Sequence, residues 1–280
     1  MILSNPQPQA PAGALLSVSI VTYNPPADSF AALLSSLRFA LEEVHRRFGA
    51  SSEVYVVDHS PDPDPVARAT GVVDAPVLTL IHDSRNPGFG AGHNRVIRAT
   101  SAEFHLILNP DAEIPSDALA QLLGYAQAHP EVVALGPEVR NGRGEVQSSC
   151  KGDVTVLDLA LRGFAPQGVR RCFAARLARY ECKNLMDARQ IAPALHLSGC
   201  FMLCRTAALQ AVGGFDERYF LYFEDFALSR ALQDQGRVLY YPLVHIVHHG
   251  GGAARKGLRH LRYFGASAWH WFQTQGWRLW

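Results

Sequence analysis

The pattern of apolar positions along this chain changes period several times, and each change marks an element. Residues 15–24, LLSVSIVTYN, form an apolar, β-branched run that ends in polar groups, which predicts a buried strand. Phe30, Leu33, Leu34, Leu37, Leu41, Val44 and Phe48 then recur at helical spacing, with Asp28 or Ser29 placed to cap the helix. Residues 52–60 and 76–84 predict a second and a third strand. Residues 85–100 predict a glycine-rich turn and a short helix. A fourth strand is expected over 104–114, a helix over 116–130 capped by Ser116, and a fifth strand over 131–139. Residues 140–195 show no firm period beyond one basic helix at 170–180. Order returns at 197–209, 213–236 and 237–252.

Strand and helix alternate through the first half. That order predicts an α/β fold, a Rossmann-like, mainly parallel sheet with helices on both faces. Ligands of such sheets sit beyond the carboxyl ends of the strands. The polar residues gather at those ends: Thr22, Tyr23 and Asn24, then Asp58, then Asn109, Pro110 and Asp111.

Composition narrows the choice of partners. The net charge of +1 favours neither nucleic acid nor an acidic polymer, so no nucleic-acid partner is expected. The five cysteines contain no CxxC pair and read as reduced thiols. No apolar run approaches the roughly 20 residues of a membrane span. Residues 1–14 lack the marks of a signal peptide and read as a loose tail. The expected location is cytoplasmic. No acid follows Asp234, whereas Arg237, Arg255, Lys256, Arg259, Arg262 and Arg278 do, interleaved with Trp269, Trp271, Trp277 and Trp280. This basic, aromatic end could rest on the inner face of the membrane, pack on the domain as a helix, or form a dimer contact.

Four constellations carry candidate chemistry. Asp111 follows a buried strand, and a strand-end carboxylate can hold Mg²⁺ or Mn²⁺, although Asn-Pro-Asp is also an ordinary turn. The glycines of NPGFGAGHN, residues 86–94, permit close backbone approach. They miss the dinucleotide fingerprint, whose last glycine would fall on His93. Glu224 and Asp225 open a helix, where they could cap it or supply a general base. His245, His248 and His249 offer imidazoles, one of which could join a metal at Asp111.

The order of six segments makes the chain resemble glycosyltransferase family 2, in its rhamnosyltransferase-like branch: SIVTYN (19–24), VVDHS (56–60), NPGFGAGHN (86–94), LNPD (108–111), GGFDERYFLYFEDFALSR (213–230) and HHGGG (248–252). The resemblance implies a GT-A fold over residues 15–252. A nucleotide-sugar half would span 15–139 and an acceptor-side half 140–252, before a basic aromatic segment at 253–280. It implies a nucleotide-diphosphate sugar donor, dTDP-rhamnose or a UDP-sugar, and a glycan or lipid-linked acceptor of a bacterial cell surface. Thr22, Tyr23, Asn24 and Asp58 would hold the nucleoside, and Asn86, Gly88, Gly90 and Asn94 would lie near the nucleotide. Asn109 and Glu224 would contact substrate. Asp111 and His248, with His249 as the rival, would hold Mg²⁺ or Mn²⁺. Asp225 would be the catalytic base of an inverting transfer. The DxD motif of the family is reduced here to Asn109-Pro110-Asp111, and Ala227 stands where the family often carries another acid. These departures keep a second reading open, a nucleotide-sugar-binding protein without transfer activity.

Overall fold

In the computed structural model, which describes residues 2–3, 13–71, 78–250 and 257–280, the first half builds one layered unit. Its elements are β1 (Ile2–Leu3), β2 (Leu16–Thr22), α1 (Ala27–Phe48), β3 (Ser52–Asp58), α2 (Asp64–Gly71), β4 (Leu78–His82), α3 (Phe89–Ile97) and β5 (Phe104–Leu108). Strands β1, β4, β3, β2 and β5 lie side by side and all run parallel. Ile2–Leu3 thus joins the sheet edge from within the segment expected to be a tail, and the rest of residues 1–12 lies outside the described residues. All seven residues of β2 are buried because helices cover both faces. Leu16, Val18 and Ile20 pack with Phe30, Leu33, Leu34 and Leu37 of α1 on one side.

The second half adds β6 (Ala112–Glu113), α4 (Ala118–Ala128), β7 (Val132–Arg140), β8 (Val146–Gln147) and β9 (Cys150–Lys151). Four short helices follow: α5 (Val156–Gly163), α6 (Gln167–Cys172), α7 (Ala174–Tyr180) and α8 (Lys183–Ala188). Then come β10 (Ala192–Pro193), β11 (His196–Leu197), β12 (Phe201–Arg205), α9 (Thr206–Ala211), α10 (Glu224–Gln233), β13 (Arg237–His248) and α11 (Leu258–Gln275). Strand β12 enters antiparallel between β5 and β7, and β13 runs parallel to β7. The sheet is mainly parallel, as expected, with this antiparallel insertion joining its halves.

Four local expectations are corrected. The strand expected over 104–114 divides, because Pro110 cannot donate to a ladder and β6 leaves β5 to pair with β13. The basic helix at 170–180 is two helices, α6 and α7, meeting at Phe173. Neither Asp28 nor Ser29 caps α1, whose N-cap position is Pro26. Asp117, not Ser116, precedes α4, and neither N-cap residue makes a side-chain capping bond.

The other face of β2 carries a buried polar seam. Ser19 Oγ lies 2.6 Å from His93 Nδ1 and 2.7 Å from His105 Nε2, and Ser17 Oγ lies 3.2 Å from His105 Nδ1. All four side chains are fully buried. The hydroxyl of Ser19 can donate to one ring and accept from the other, so His105 is bonded at both nitrogens while neutral, whereas His93 Nε2 is buried without a hydrogen-bond partner. Burial holds His93 well below its ordinary range and moves His105 down to about 3. The unfolded chain titrates near 6.5 and therefore binds more protons between the two limits. This contribution to stability is complete above about pH 6.5 and is lost as pH falls toward 3, by up to about 1.4 kcal/mol per pH unit for each ring. Urea unfolding at pH 8, 7, 6 and 5 should show stability falling below pH 7, with a shallower slope in His105→Gln. A flat profile would refute this account of the seam.

Candidate active site

The carboxyl ends of β2, β3 and β5 and the far end of β13 meet at one edge of the sheet. Beyond β5, Pro110 and Asp111 form the turn into β6. Ala112 pairs with His248 and Glu113 with Val247, and His249 N–H donates to the Asp111 carbonyl at 3.0 Å. This short ladder carries His248 across to the turn. His248 Nε2 lies 3.2 Å from Asp111 Oδ1 and 3.2 Å from Asn109 Nδ2. His249 points elsewhere and pairs with Glu113. The geometry therefore groups Asn109, Asp111 and His248, and separates His249 from them. Gly250 lies directly against this group: a Cβ there would collide with Asp111 Oδ2 and reach 3.0 Å from His248 Nε2.

A carboxylate and an imidazole, with the Asn109 amide beside them, form a donor set suited to a divalent cation. No cluster of three or more His, Cys, Asp or Glu side chains suited to a metal occurs among the described residues. A single carboxylate with one imidazole leaves coordination positions open for phosphate oxygens and water. The close approach of Gly250 keeps the Asp111 carboxylate free of side-chain bulk on that flank.

The acid pair is aimed differently. Tyr222 and Phe223 both adopt left-handed backbone, with φ of 73° and 66°, immediately before α10. Glu224 is 5% exposed. Burial and the neighbouring Asp225 raise its carboxyl well above the ordinary range. Asp225 accepts from the N–H groups of Gly199 and Phe226, each at 3.0 Å. Burial raises its pKa as well, and those two bonds oppose the rise. The pair is thus split, with Glu224 retaining a proton more readily and Asp225 taking the charge. The Gly199–Cys200 turn also reaches the Asn109 group, since Asn109 N–H donates to the Cys200 carbonyl at 2.9 Å.

The nucleoside candidates lie at the ends of β2 and β3. Asp58 is fully buried; its Oδ1 accepts from Ser60 N–H and Oγ–H, and His82 Nδ1 lies 3.3 Å from its Oδ2. Asn24, at φ 45°, donates its N–H to Ser60 Oγ at 2.8 Å. Tyr23 is exposed, whereas Thr22 is buried with Oγ1 unpartnered. Asn86 also adopts positive φ, at 47°. Gly88 and Gly90 sit under the aromatic loop, where an added Cβ would meet the Phe220 carbonyl oxygen or the Phe215 Cβ at 2.7 Å. The Asn94 amide is spent on that loop: it donates to the Phe215 carbonyl and to Glu217, and accepts from Phe215 N–H. Asn94 is therefore buried among these partners rather than on the open edge.

Sequence reasoning missed Ser60, His82, Gly199 and Gly250. Ser60 and His82 could have been found by extending the strand-end rule to β4 and to the residue two beyond Asp58. Gly250 was visible in HHGGG, but nothing local revealed that its neighbour in space is Asp111.

Comparison with known proteins places the fold and the family. The model of the family described as "Glycosyltransferase like family 2" matches residues 12–267. The N-acetylglucosaminyl-diphospho-decaprenol L-rhamnosyltransferase of Mycobacterium tuberculosis is 28% identical over 249 residues, covering 84% of this chain and 76% of the relative. A Pyrobaculum calidifontis mannosyltransferase solved with GDP-Man and Mn²⁺ superposes with a TM-score of 0.59 at 21% identity, over 95% of this chain and 68% of the other. GalNAc-T7, solved with UDP, GalNAc and Mn²⁺, gives a TM-score of 0.60 at 13% identity. That match covers 85% of this chain but only 43% of GalNAc-T7. The chain therefore belongs to glycosyltransferase-like family 2 and is a glycosyltransferase of GT-A fold, similar to the rhamnosyltransferase-like branch.

Proposed function

We propose that the protein transfers a sugar, L-rhamnose in the best reading, from a nucleoside-diphosphate donor to a hydroxyl of a lipid-linked glycan precursor, with inversion at the anomeric carbon. The observation that carries this reading is one turn with two attachments. Cys200 holds Asn109 beside Asp111 and His248, and Gly199 holds Asp225. The rhamnosyl relative and the decaprenol in its name support the choice of sugar and acceptor class.

The chain's own groups account for the proton and for orientation. Asp225, ionised and fixed by two backbone N–H groups, takes the proton of the acceptor hydroxyl. The acceptor oxygen forms the new bond to the anomeric carbon. The bond from that carbon to the diphosphate oxygen breaks, and its electron pair leaves on the nucleoside diphosphate. One displacement is sufficient, so no covalent enzyme intermediate forms. Burial and the neighbouring Asp225 push the Glu224 carboxyl toward its neutral form, which leaves Asp225 as the acid of the pair to carry charge. Asp111 and His248, with Asn109 beside them, would hold Mg²⁺ or Mn²⁺, which supplies neutralising charge to the departing diphosphate. Thr22, Tyr23, Asn24 and Asp58 would frame the nucleoside, with Asn86 and the turn of Gly88 and Gly90 adjoining it.

The direct assay combines dTDP-rhamnose or a UDP-sugar, Mn²⁺ and a polyprenyl-diphosphate-linked amino sugar, and measures extension of the acceptor. Donor binding without turnover on any acceptor would replace this reading with that of a nucleotide-sugar-binding protein. Asp225→Asn should lower kcat by about 10²-fold or more while leaving thermal stabilisation by the nucleoside diphosphate intact. Near-normal turnover would remove Asp225 from the base role. The raised pKa of Asp225 gives the sign of the pH dependence: protonation disables the base, so kcat should fall on the acid side at a pH above the ordinary aspartate value of about 3.9. Asp111→Ala and His248→Ala should each abolish the extra thermal shift that Mn²⁺ gives to dTDP or UDP, whereas His249→Ala should retain it. Equal loss in both histidine variants would contradict the separation seen here.

A further inference from the structure

Helix α11 is apolar on two sides. Its inner face enters the domain. His260 Nδ1 lies 2.8 Å from the Tyr222 hydroxyl, Phe264 packs on Tyr222 and Phe223, Ser267 Oγ donates to the Leu221 carbonyl, and Trp271 is buried against Phe223, Phe226 and His196. The opposite face repeats at the same helical spacing and carries Leu258, Leu261 and Trp269, which are 81%, 49% and 60% exposed. A helix normally turns one apolar stripe to the core and a polar face to water, so exposed leucines and a tryptophan on the outer side call for a second contact. The domain covers one side only.

The composition of the outer side identifies what covers the other. Residues 257–280 contain no acid, and Arg259 and Arg262 are exposed beside the apolar positions, whereas Arg278 is paired with Asp153 at 2.7 Å. After the helix, Trp277 stacks on Phe272 and meets Trp269 edge-on, each at 5.2 Å between ring centroids. The carbonyls of Arg278 and Leu279 accept from Val156 and Leu157 N–H, so the tail is tied to α5 with Leu279 and Trp280 left exposed. Trp269, Arg259 and Arg262 flanking exposed leucines on a segment that itself carries no acid suit the boundary of an anionic bilayer, where indole rings sit at headgroup level and cations meet lipid phosphate. No helix among the described residues is long and apolar enough to cross a membrane.

We propose that the outer face of α11 and the tail that follows it form a peripheral docking surface for anionic phospholipid. The surface deepens the proposed function and rests on it only for the identity of the lipid-linked acceptor. The inner face of α11 holds the aromatic turn leading into Asp225, so the docked helix and the proposed base share one brace.

Flotation of the full chain with vesicles tests this. Phosphatidylcholine vesicles containing about one-third phosphatidylglycerol should capture the protein and blue-shift its tryptophan emission, and pure phosphatidylcholine should capture far less. The exposed triple variant Leu258→Ser, Leu261→Ser, Trp269→Ser should keep the wild-type Tm yet bind anionic vesicles at least about tenfold more weakly. Arg262→Glu should weaken capture by about fivefold or more and remove part of its salt dependence. Failure of the wild type to bind anionic vesicles, or undiminished binding by the triple variant, would overturn the proposal. A wild-type dimer that the triple variant dissociates, without vesicle capture, would overturn it in favour of a second copy of the chain. Solution turnover of the donor is scored separately: vesicle capture with no sugar transfer would refute the proposed function and leave the surface standing.

Discussion

The site depends on how one antiparallel strand is fastened at its beginning. β12 enters between β5 and β7, and the residues just before it make two backbone hydrogen bonds in opposite directions. Cys200 accepts from Asn109, at the end of β5, and Gly199 donates to the carboxylate of Asp225, at the start of α10. A side chain at residue 199 would press on Asp225 Cβ at 3.2 Å and on the Phe89 ring at 3.4 Å, so glycine permits the approach. The register of β12 against β5 therefore sets the spacing between the group suited to a cation and the acid suited to accept a proton. A slip of one residue would turn every side chain of β12 to the opposite face, placing Phe201 and Leu203 where Met202 and Cys204 now pack. Burial on both faces makes that slip costly, and the chemistry inherits its geometry from ordinary core packing.

The same burial sets the electrostatics of the acid pair. Two adjacent carboxyls in a dry environment cannot both ionise cheaply, and the backbone decides between them. Asp225 has two N–H donors, whereas Glu224 Oε2 has no hydrogen-bond partner. The division of roles between neighbouring acids follows from which one the β12 turn can reach. On the cation side the logic is reversed. Asp111 and His248 retain partial exposure, and the only carboxylate in that group is Asp111. A site with so few protein ligands suits a cation that arrives with its own phosphate oxygens.

Most of the first half was legible because its signals are local. The seven-residue apolar run of β2 and the 3.6-residue period of α1 each determine their own burial, and the polar ends of β2, β3 and β5 mark the sheet edge where the site lies. Asp111, Asp225 and His248 were singled out as candidates by their segments and their order, and the structure sets His248 beside Asp111. What could not be read depends on pairings between distant residues. The break of the expected strand at Pro110 makes sense only when β13 is present to receive β6. The buried use of Asn94 depends on Phe215 and Glu217 folding back over α3. The choice of His248 over His249 is made by a two-residue ladder, since neighbouring positions on a strand face opposite ways. Residues 140–195 gave little because their helices are six to eight residues long, too short to express a period.

The turn before Asp225 explains why the C-terminal helix belongs to the site. Two consecutive non-glycine residues in left-handed backbone are unfavourable by about 1–3 kcal/mol each, and such a turn persists only where its surroundings over-determine it. Here the surroundings are α11. Its Phe264 and Trp271 rings contact Phe223, its His260 bonds the Tyr222 hydroxyl, and its Ser267 holds the Leu221 carbonyl. Burying such aromatic side chains contributes about 1.5–3 kcal/mol apiece, enough to offset the strain. The helix therefore acts as a brace whose inner face fixes the direction of α10 and whose outer face meets the surroundings. Any force that shifts α11 must be felt first at Tyr222 and Phe223, and through them at Asp225.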